Sequence, residues 1–303
     1  LWWDALRENA KAPIGQRQFK RIAKNGGVIG DTVIYVAVDK KGKDLGQGFV
    51  LKADKNDPAN NVAEVAGFQL AHALGIDIDV AGFDGSRRPG EMPVAIIPFA
   101  WNRAGEGGVI TPNEAGLRKG GEIPNFDPRQ FEGLADKAYP ERLAGILVNY
   151  FLQMGDRHDQ NHMGAMVDGR PMVVPIDLGW AGRFGPDMHS NFIDYTERIM
   201  WADYKLLSNI KTHLGKLTPE EKTRQADALK DVFDSMLGRA ENIIAAGQQN
   251  YVDSILKSLS PEQRKNRNVV GAAQTKAANL FSVLTQTTEN LRKRRDEVLN
   301  YFE

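Results

Sequence analysis

Gly155-Asp156-Arg157-His158-Asp159-Gln160-Asn161, with Ile176-Asp177-Leu178-Gly179 a short way beyond it, decides the reading of this chain. Between the two, residues 163–167 and 172–176 read as short strands joined by Asp168-Gly169, a tight-turn dipeptide. Pairing such strands brings their outer ends to within roughly 5 Å in the backbone. Asn161 and Asp177 are therefore expected side by side. An amide oxygen and a carboxylate so placed suit Mg2+, a hard cation that takes oxygen ligands and often fills its remaining positions from phosphates. Asp156, on the preceding loop, is left to orient or deprotonate a hydroxyl. Upstream, Leu143, Ile146, Leu147, Tyr150, Phe151 and Met154 recur at helical spacing, so a core-facing helix delivers the chain to Asp156. The layout suits phosphoryl transfer.

Working back toward the N-terminus, residues 33–38, 49–52 and 94–97 read as strands, with Lys41-Gly42 as a turn. Asn60-Asn61 can cap a helix carrying Val62, Ala66, Leu70, Ala73 and Leu74 on one face, with Gly75 as its stop. Asn25-Gly26-Gly27-Val28-Ile29-Gly30 precedes the first of these strands. Glycines there let backbone N–H groups approach phosphates, although most such clusters are plain turns. Lys52 ends an apolar strand, where a lysine must either reach solvent or meet an anion. Glu64, on the next helix, can pair with it and aim it at nucleotide phosphates; an ordinary solvated glutamate is the plainer reading. Ile96, Ile97, Pro98 and Phe99 lead into a connector rich in Gly, Pro and Asn over 103–139. Backbone and apolar groups at such a hinge can hold an adenine ring, or simply form a buried strand.

Around the central motif, Arg157 can tie the loop to a neighbouring carboxylate. His158 can act as a structural donor or neutralise charge developing on a phosphate. A zinc site from His158 and His162 lacks a third ligand nearby and is set aside. Two more helix starts, Thr218-Pro219-Glu220-Glu221 and Ser260-Pro261-Glu262-Gln263, read as capping boxes with Pro at the first helical position.

The whole chain, 303 residues with zero formal net charge and no cysteine, sets outer limits. It can bury one large core or two lobes. Disulfides, thiolate metal sites and a cysteine nucleophile are excluded. Neutral balance gives no electrostatic case for nucleic acid. No apolar run approaches the ~20 residues that cross a bilayer. These features fit a cytoplasmic protein, or a secreted effector acting in the cytoplasm of a target cell. The start at Leu1 reads as a processed product or an excised domain. The expected architecture is α+β: an N-terminal arm or helix over 1–24, a small β-rich lobe with one helix over 25–102, and a larger, mainly helical lobe over 103–303. The helical extension of that second lobe begins near residue 216.

These residues resemble the atypical kinase superfamily that includes phosphatidylinositol 3- and 4-kinases, their protein-kinase relatives and the toxin–antitoxin serine kinases. The Gly155–Asn161 stretch with Ile176-Asp177-Leu178-Gly179 carries most of the likeness, and the segment from Phe49 through Lys52 and Glu64 to Ile76 adds to it. Residues 24 to 185 are covered. The resemblance implies a two-lobed protein-kinase-like fold and an ATP- and Mg2+-dependent phosphotransferase, with Mn2+ as a substitute metal. It casts Asp156 as catalytic base, assisted by Arg157 and His158, and Asn161 and Asp177 as metal ligands. Lys52, held by Glu64, would meet the ATP phosphates, Gly26, Gly27 and Gly30 would cover them, and Ile97 and Phe99 would flank the base. Every polar part is present, which favours an active enzyme over a nucleotide-binding pseudokinase scaffold.

The acceptor is read from the segment beyond Asp177. Between Trp180 and Trp201 only Arg183 and Arg198 are fixed cations, offset by Asp187, Asp194 and Glu197. A phosphoinositide headgroup would want a basic loop there, so a protein hydroxyl is preferred to a lipid. A regulatory or immunity partner on the C-terminal helices, and an effector or toxin role, complete the expectations. AMP transfer from a flipped ATP is the variant within the same chemistry.

Overall fold

The computed structural model describes residues 19–26, 31–42, 44–54, 58–76, 82–83, 95–100, 135–155, 162–167, 170–175, 178–182, 191–199 and 210–303. Five antiparallel strands form one sheet: β1 (Phe19–Gly26), β2 (Asp31–Val38), β3 (Asp44–Ala53), β4 (Gly82–Phe83) and β5 (Ala95–Ala100), in the order β1-β2-β3-β5-β4, with a helix between β3 and β4 in the chain. The turn at Gly42 needs a positive φ of 79°, which glycine adopts without cost, and the Gly42 N–H closes it on the Asp39 carbonyl at 2.9 Å. Residues 19–24, expected in an N-terminal arm or helix, belong to strand β1 instead. Their basic residues hide the strand signal, and pairing with β2 across the glycine cluster supplies the ladder that composition does not announce.

Helix α1 (Pro58–Ala73) packs against β3 and β5. It ends as expected at Gly75, whose φ of 106° lets Ile76 N–H reach back to the Ala71 carbonyl at 3.0 Å and Gly75 N–H to His72 at 2.9 Å. Helix α2 (Ala135–Phe151) takes in residues 135–139, expected in the connector, because helix packing downstream extends into that stretch. The rest of the connector lies outside the described residues, and the hairpin of β6 (His162–Val167) and β7 (Arg170–Pro175) follows α2. Val167 pairs with Arg170, so the two strands read on either side of Asp168-Gly169 do pair; those two residues lie outside the described ones. All six apolar positions of the α2 stripe are buried. Helix α3 (Phe192–Ile199) seats Phe192 and Tyr195 against Tyr150, each edge-on with ring centroids 5.4 Å apart.

From residue 210 onward the described chain is mainly helical: α4 (Pro219–Ala246), α5 (Gln248–Lys257), α6 (Arg267–Lys293) and α7 (Arg295–Asn300). The box at Thr218 forms as read, with Thr218 and Glu221 capping each other reciprocally. That at Ser260 forms its two bonds with Gln263, at 3.0 and 3.1 Å, but opens only a single 3-10 turn, Gln263–Lys265. The long helix starts one step later, where the Asn266 side chain accepts from the Asn268 and Val269 amides. Along α6, Val269, Ala273, Ala277, Leu280, Leu284, Thr287 and Leu291 are buried at helical spacing. Each large apolar side chain so buried contributes about 1.5–3 kcal/mol. This helix touches α1, α2, α4, α5 and α7, and so joins the sheet-side helix to the helical body. Among the described residues no helix is long and apolar enough to cross a membrane.

Two buried phenols make the fold sensitive to alkali. Burial pushes the Tyr150 hydroxyl from its usual 10.0 up to about 12, against the lowering influence of the neighbouring Asn290 side chain and the Arg294 charge. Burial also raises Tyr251. An unfolded tyrosine ionises first, so stability is intact below pH 10 and declines between about pH 10 and 12, by roughly 2–3 kcal/mol for one such group. Urea midpoints measured across that range should fall with pH, and the fall should be shallower in Tyr150→Phe.

Candidate functional site

Lys52 stands one residue from the end of β3, flanked in the sheet by Thr32 of β2 and Ala95 of β5. What sets its distance from α1 is a knot between the strand end and the first helical turn. Asp54 N–H donates to the Asn61 Oδ1 at 2.8 Å, Asn61 Nδ2 returns a bond to the Asp54 carbonyl at 3.1 Å, and Asn60 Nδ2 reaches the Asp54 carboxylate at 2.8 Å. The two asparagines therefore sit inside the helix, which begins at Pro58, and splice it to the strand rather than capping it.

One turn further on, Glu64 faces Lys52. The Lys52 ammonium donates to Glu64 Oε2 at 2.8 Å; the lysine side chain is 24% exposed and the glutamate 1%. The other carboxylate oxygen, Oε1, accepts from the backbone N–H of Leu178 at 3.0 Å. Leu178 is the residue after Asp177 and opens the 3-10 turn Leu178–Trp180. Glu64 thus holds the strand lysine with one oxygen and the chain just past Asp177 with the other. Two glycines permit the approach: a Cβ at Gly179 would lie 3.0 Å from Glu64 Oε2, and one at Gly67 would lie 2.9 Å from the Leu178 Cβ.

The end of α2 is built with equal care. Its last carbonyls have no helical partners and are buried, so each needs another donor. Met154 N–H returns to Asn149 and Gln153 N–H to Tyr150, both at 3.0 Å, with Gln153 at a left-handed φ of 44° where glycine would usually stand. The Leu152 carbonyl accepts from the Gly182 amide at 2.7 Å, which binds the turn after Asp177 to the helix before Asp156. The Tyr195 hydroxyl lies 2.9 Å from the Asn149 carbonyl and 2.8 Å from that of Met154.

Of the residues singled out by sequence, the structure brings together Lys52 and Glu64. Gly26 is the last residue of β1, paired with Asp31 across the glycine cluster. Ile97 and Phe99 lie in β5, opposite Val50 and Gly48. Asp156, Arg157, His158, Asn161, Asp177, Gly27 and Gly30 lie outside the described residues. Sequence reasoning missed the Leu178 amide, Gly67, Gly179, the Asn60–Asn61 splice and Tyr195. Only Gly67 had a legible cue, since it stands three positions after Glu64 on the same helical face.

No protein-family profile matches this sequence. A chloroplastic aarF domain-containing protein kinase of Arabidopsis thaliana, itself uncharacterized, is 30% identical over 103 residues, 33% of this chain and 15% of that protein. The chain thus spans a small part of the curated relative it matches. Among solved structures, the Helicobacter pylori proinflammatory kinase CtkA superposes with a TM-score of 0.40 at 11% identity, covering 92% of both chains. A chain of the Shewanella oneidensis toxin–antitoxin complex of HipA, HipB and operator DNA gives 0.43 at 12% identity, covering 96% of this chain and 72% of that one. Superpositions this loose do not assign a fold. The weak sequence similarity is to a protein kinase, and no phosphatidylinositol kinase is among these three.

The close approach at Gly67 is testable without any assay of activity. Gly67→Ala forces a methyl onto Leu178 and should destabilise the protein by about 1–3 kcal/mol. Gly271→Ala, where a Cβ meets nothing within 4 Å inside α6, should instead stabilise it by about 0.5–1 kcal/mol. Urea unfolding of both variants, read by circular dichroism, checks the contrast.

Proposed function

We propose that this chain is an ATP-dependent phosphotransferase that moves the γ-phosphoryl group of ATP to a hydroxyl, with a protein serine or threonine as first choice. The observation that carries the reading is the double use of Glu64, which links Lys52 to the backbone beside Asp177. The limited likeness to a protein kinase supports it, and so does the run of Asp156, Asn161 and Asp177 in the sequence. Assignment to the phosphatidylinositol 3-/4-kinase type rests on that motif alone.

In this reading Lys52 lays a positive charge against the nucleotide phosphates, and Glu64 keeps the ammonium from swinging into solvent. Glu64 can serve because it is held from both sides; a buried carboxylate with one partner removed would be costly, about 3–5 kcal/mol in comparable pairs. Asp156 orients the acceptor hydroxyl and takes its proton as the oxygen attacks the γ-phosphorus and the bond to the departing ADP breaks. His158 adds charge near the transferring group and Arg157 steadies the loop. Asn161 and Asp177 offer an amide oxygen and a carboxylate, a donor set that fits Mg2+ or Mn2+. When bound, such a cation would neutralise phosphate charge.

γ-Labelled ATP incubated with purified protein, generic protein acceptors and phosphatidylinositol vesicles provides the test. Label should enter protein in preference to lipid, and Lys52→Met and Asp177→Asn should each lower transfer by about 10²- to 10³-fold. A preference for vesicles would reverse the acceptor order. Transfer of label only from α-labelled ATP would mean AMP transfer, and tight ATP binding with no product from either would leave a scaffold.

A further inference from the structure

We propose that Tyr195 is a positioning residue for Asp156, two residues beyond the carbonyl it holds, a role that rests on the phosphotransferase reading. Its side chain is fully buried on α3, and its hydroxyl reaches two carbonyls of the same helix end, Asn149 at 2.9 Å and Met154 at 2.8 Å. One phenolic proton is shared between them. The two acceptors bracket the reversal of chain direction at the end of α2, and Met154 is two residues ahead of Asp156.

Three features set this contact apart from ordinary core satisfaction. The Asn149 carbonyl already accepts the Met154 amide, so the hydroxyl is not needed to satisfy it. What Tyr195 adds is a cross-brace over the turn. Second, that turn is held in a left-handed conformation by Gln153, a side chain that disfavours it. External bonds oppose its relaxation. Third, α3 lies downstream of Asp177 and α2 upstream of Asp156. Tyr195, together with the Gly182 amide on the Leu152 carbonyl, therefore ties the chain leaving the candidate metal ligand to the chain entering the candidate base. Displacement of a reacting group by about 1 Å can cost ~10²-fold in rate, and this is the contact placed to prevent it.

Tyr195→Phe removes the hydroxyl and retains the ring packed on Tyr150. The variant should stay folded, bind ATP with unchanged affinity, and lose about 10- to 100-fold in kcat at nearly constant KM for ATP. Amide hydrogen exchange in the peptide spanning 152–161 should quicken at least several-fold, while exchange in α4 and α6 stays as in the wild type. Full kcat in Tyr195→Phe overturns the proposal, and so does unchanged exchange over 152–161. Acceleration spread over the whole chain also overturns it, since that marks a merely structural hydrogen bond. If the wild type shows no turnover, the phosphotransferase reading fails and takes the catalytic role of Tyr195 with it; the exchange data then decide the brace alone.

Discussion

A single buried carboxylate organises the candidate site. Glu64 has two oxygens, and the structure assigns them to different parts of the chain: the ammonium of Lys52 on the sheet and the amide of Leu178 in the helical body. A charge this deep persists only where its lone pairs are met. That requirement runs outward through the packing. Gly67 and Gly179 lack side chains where a methyl would push the partners apart, Asn60 and Asn61 splice α1 to the strand that brings Lys52, and α6 closes over α1 on the helical side. Lysine, glutamate and amide form one hydrogen-bonded unit.

The second organising element is a helix end. The last turn of α2 has its carbonyls bonded by a tyrosine from α3, an amide from the turn after Asp177 and amides of its own reversal. A surface helix would leave these groups to water. Here they are the means by which elements distant in sequence are drawn to one point. Strand β7 of the hairpin packs on the same helix.

Much of this was legible in the sequence wherever local chemistry dictates local structure. Gly75 stops α1 because few other residues tolerate its positive φ, and β6 and β7 pair as the strands read on either side of Asp168-Gly169. The apolar spacing from Leu143 to Met154 reads as a buried face because helical geometry leaves little alternative. The Lys52–Glu64 pair was legible as chemistry seeking a partner. What could not be read were bonds whose donor is a backbone amide. Leu178 offers its N–H whatever its side chain, so no residue type advertises the third member of the Glu64 unit. Asn60 and Asn61 resemble caps because asparagine accepts from free amides in either role; the strand end at Asp54 decides which, and its approach is tertiary. The box at Ser260 shows the same limit, since its local bonds form while the long helix begins elsewhere.

The reach of α6 has a consequence for how the chain can be dissected. Because that helix packs on α1 as well as on α2, α4 and α5, the C-terminal segment is not an appendage to a finished core. It forms part of the wall against which the Glu64 helix rests. Truncation of the last fifty residues would therefore confound two questions: loss of a binding partner and collapse of the packing around α1 would look alike in a pull-down. Point changes on the outward face of α6 are the cleaner instrument for mapping partners, and the natural boundary for expression of a shorter chain does not lie ahead of this helix.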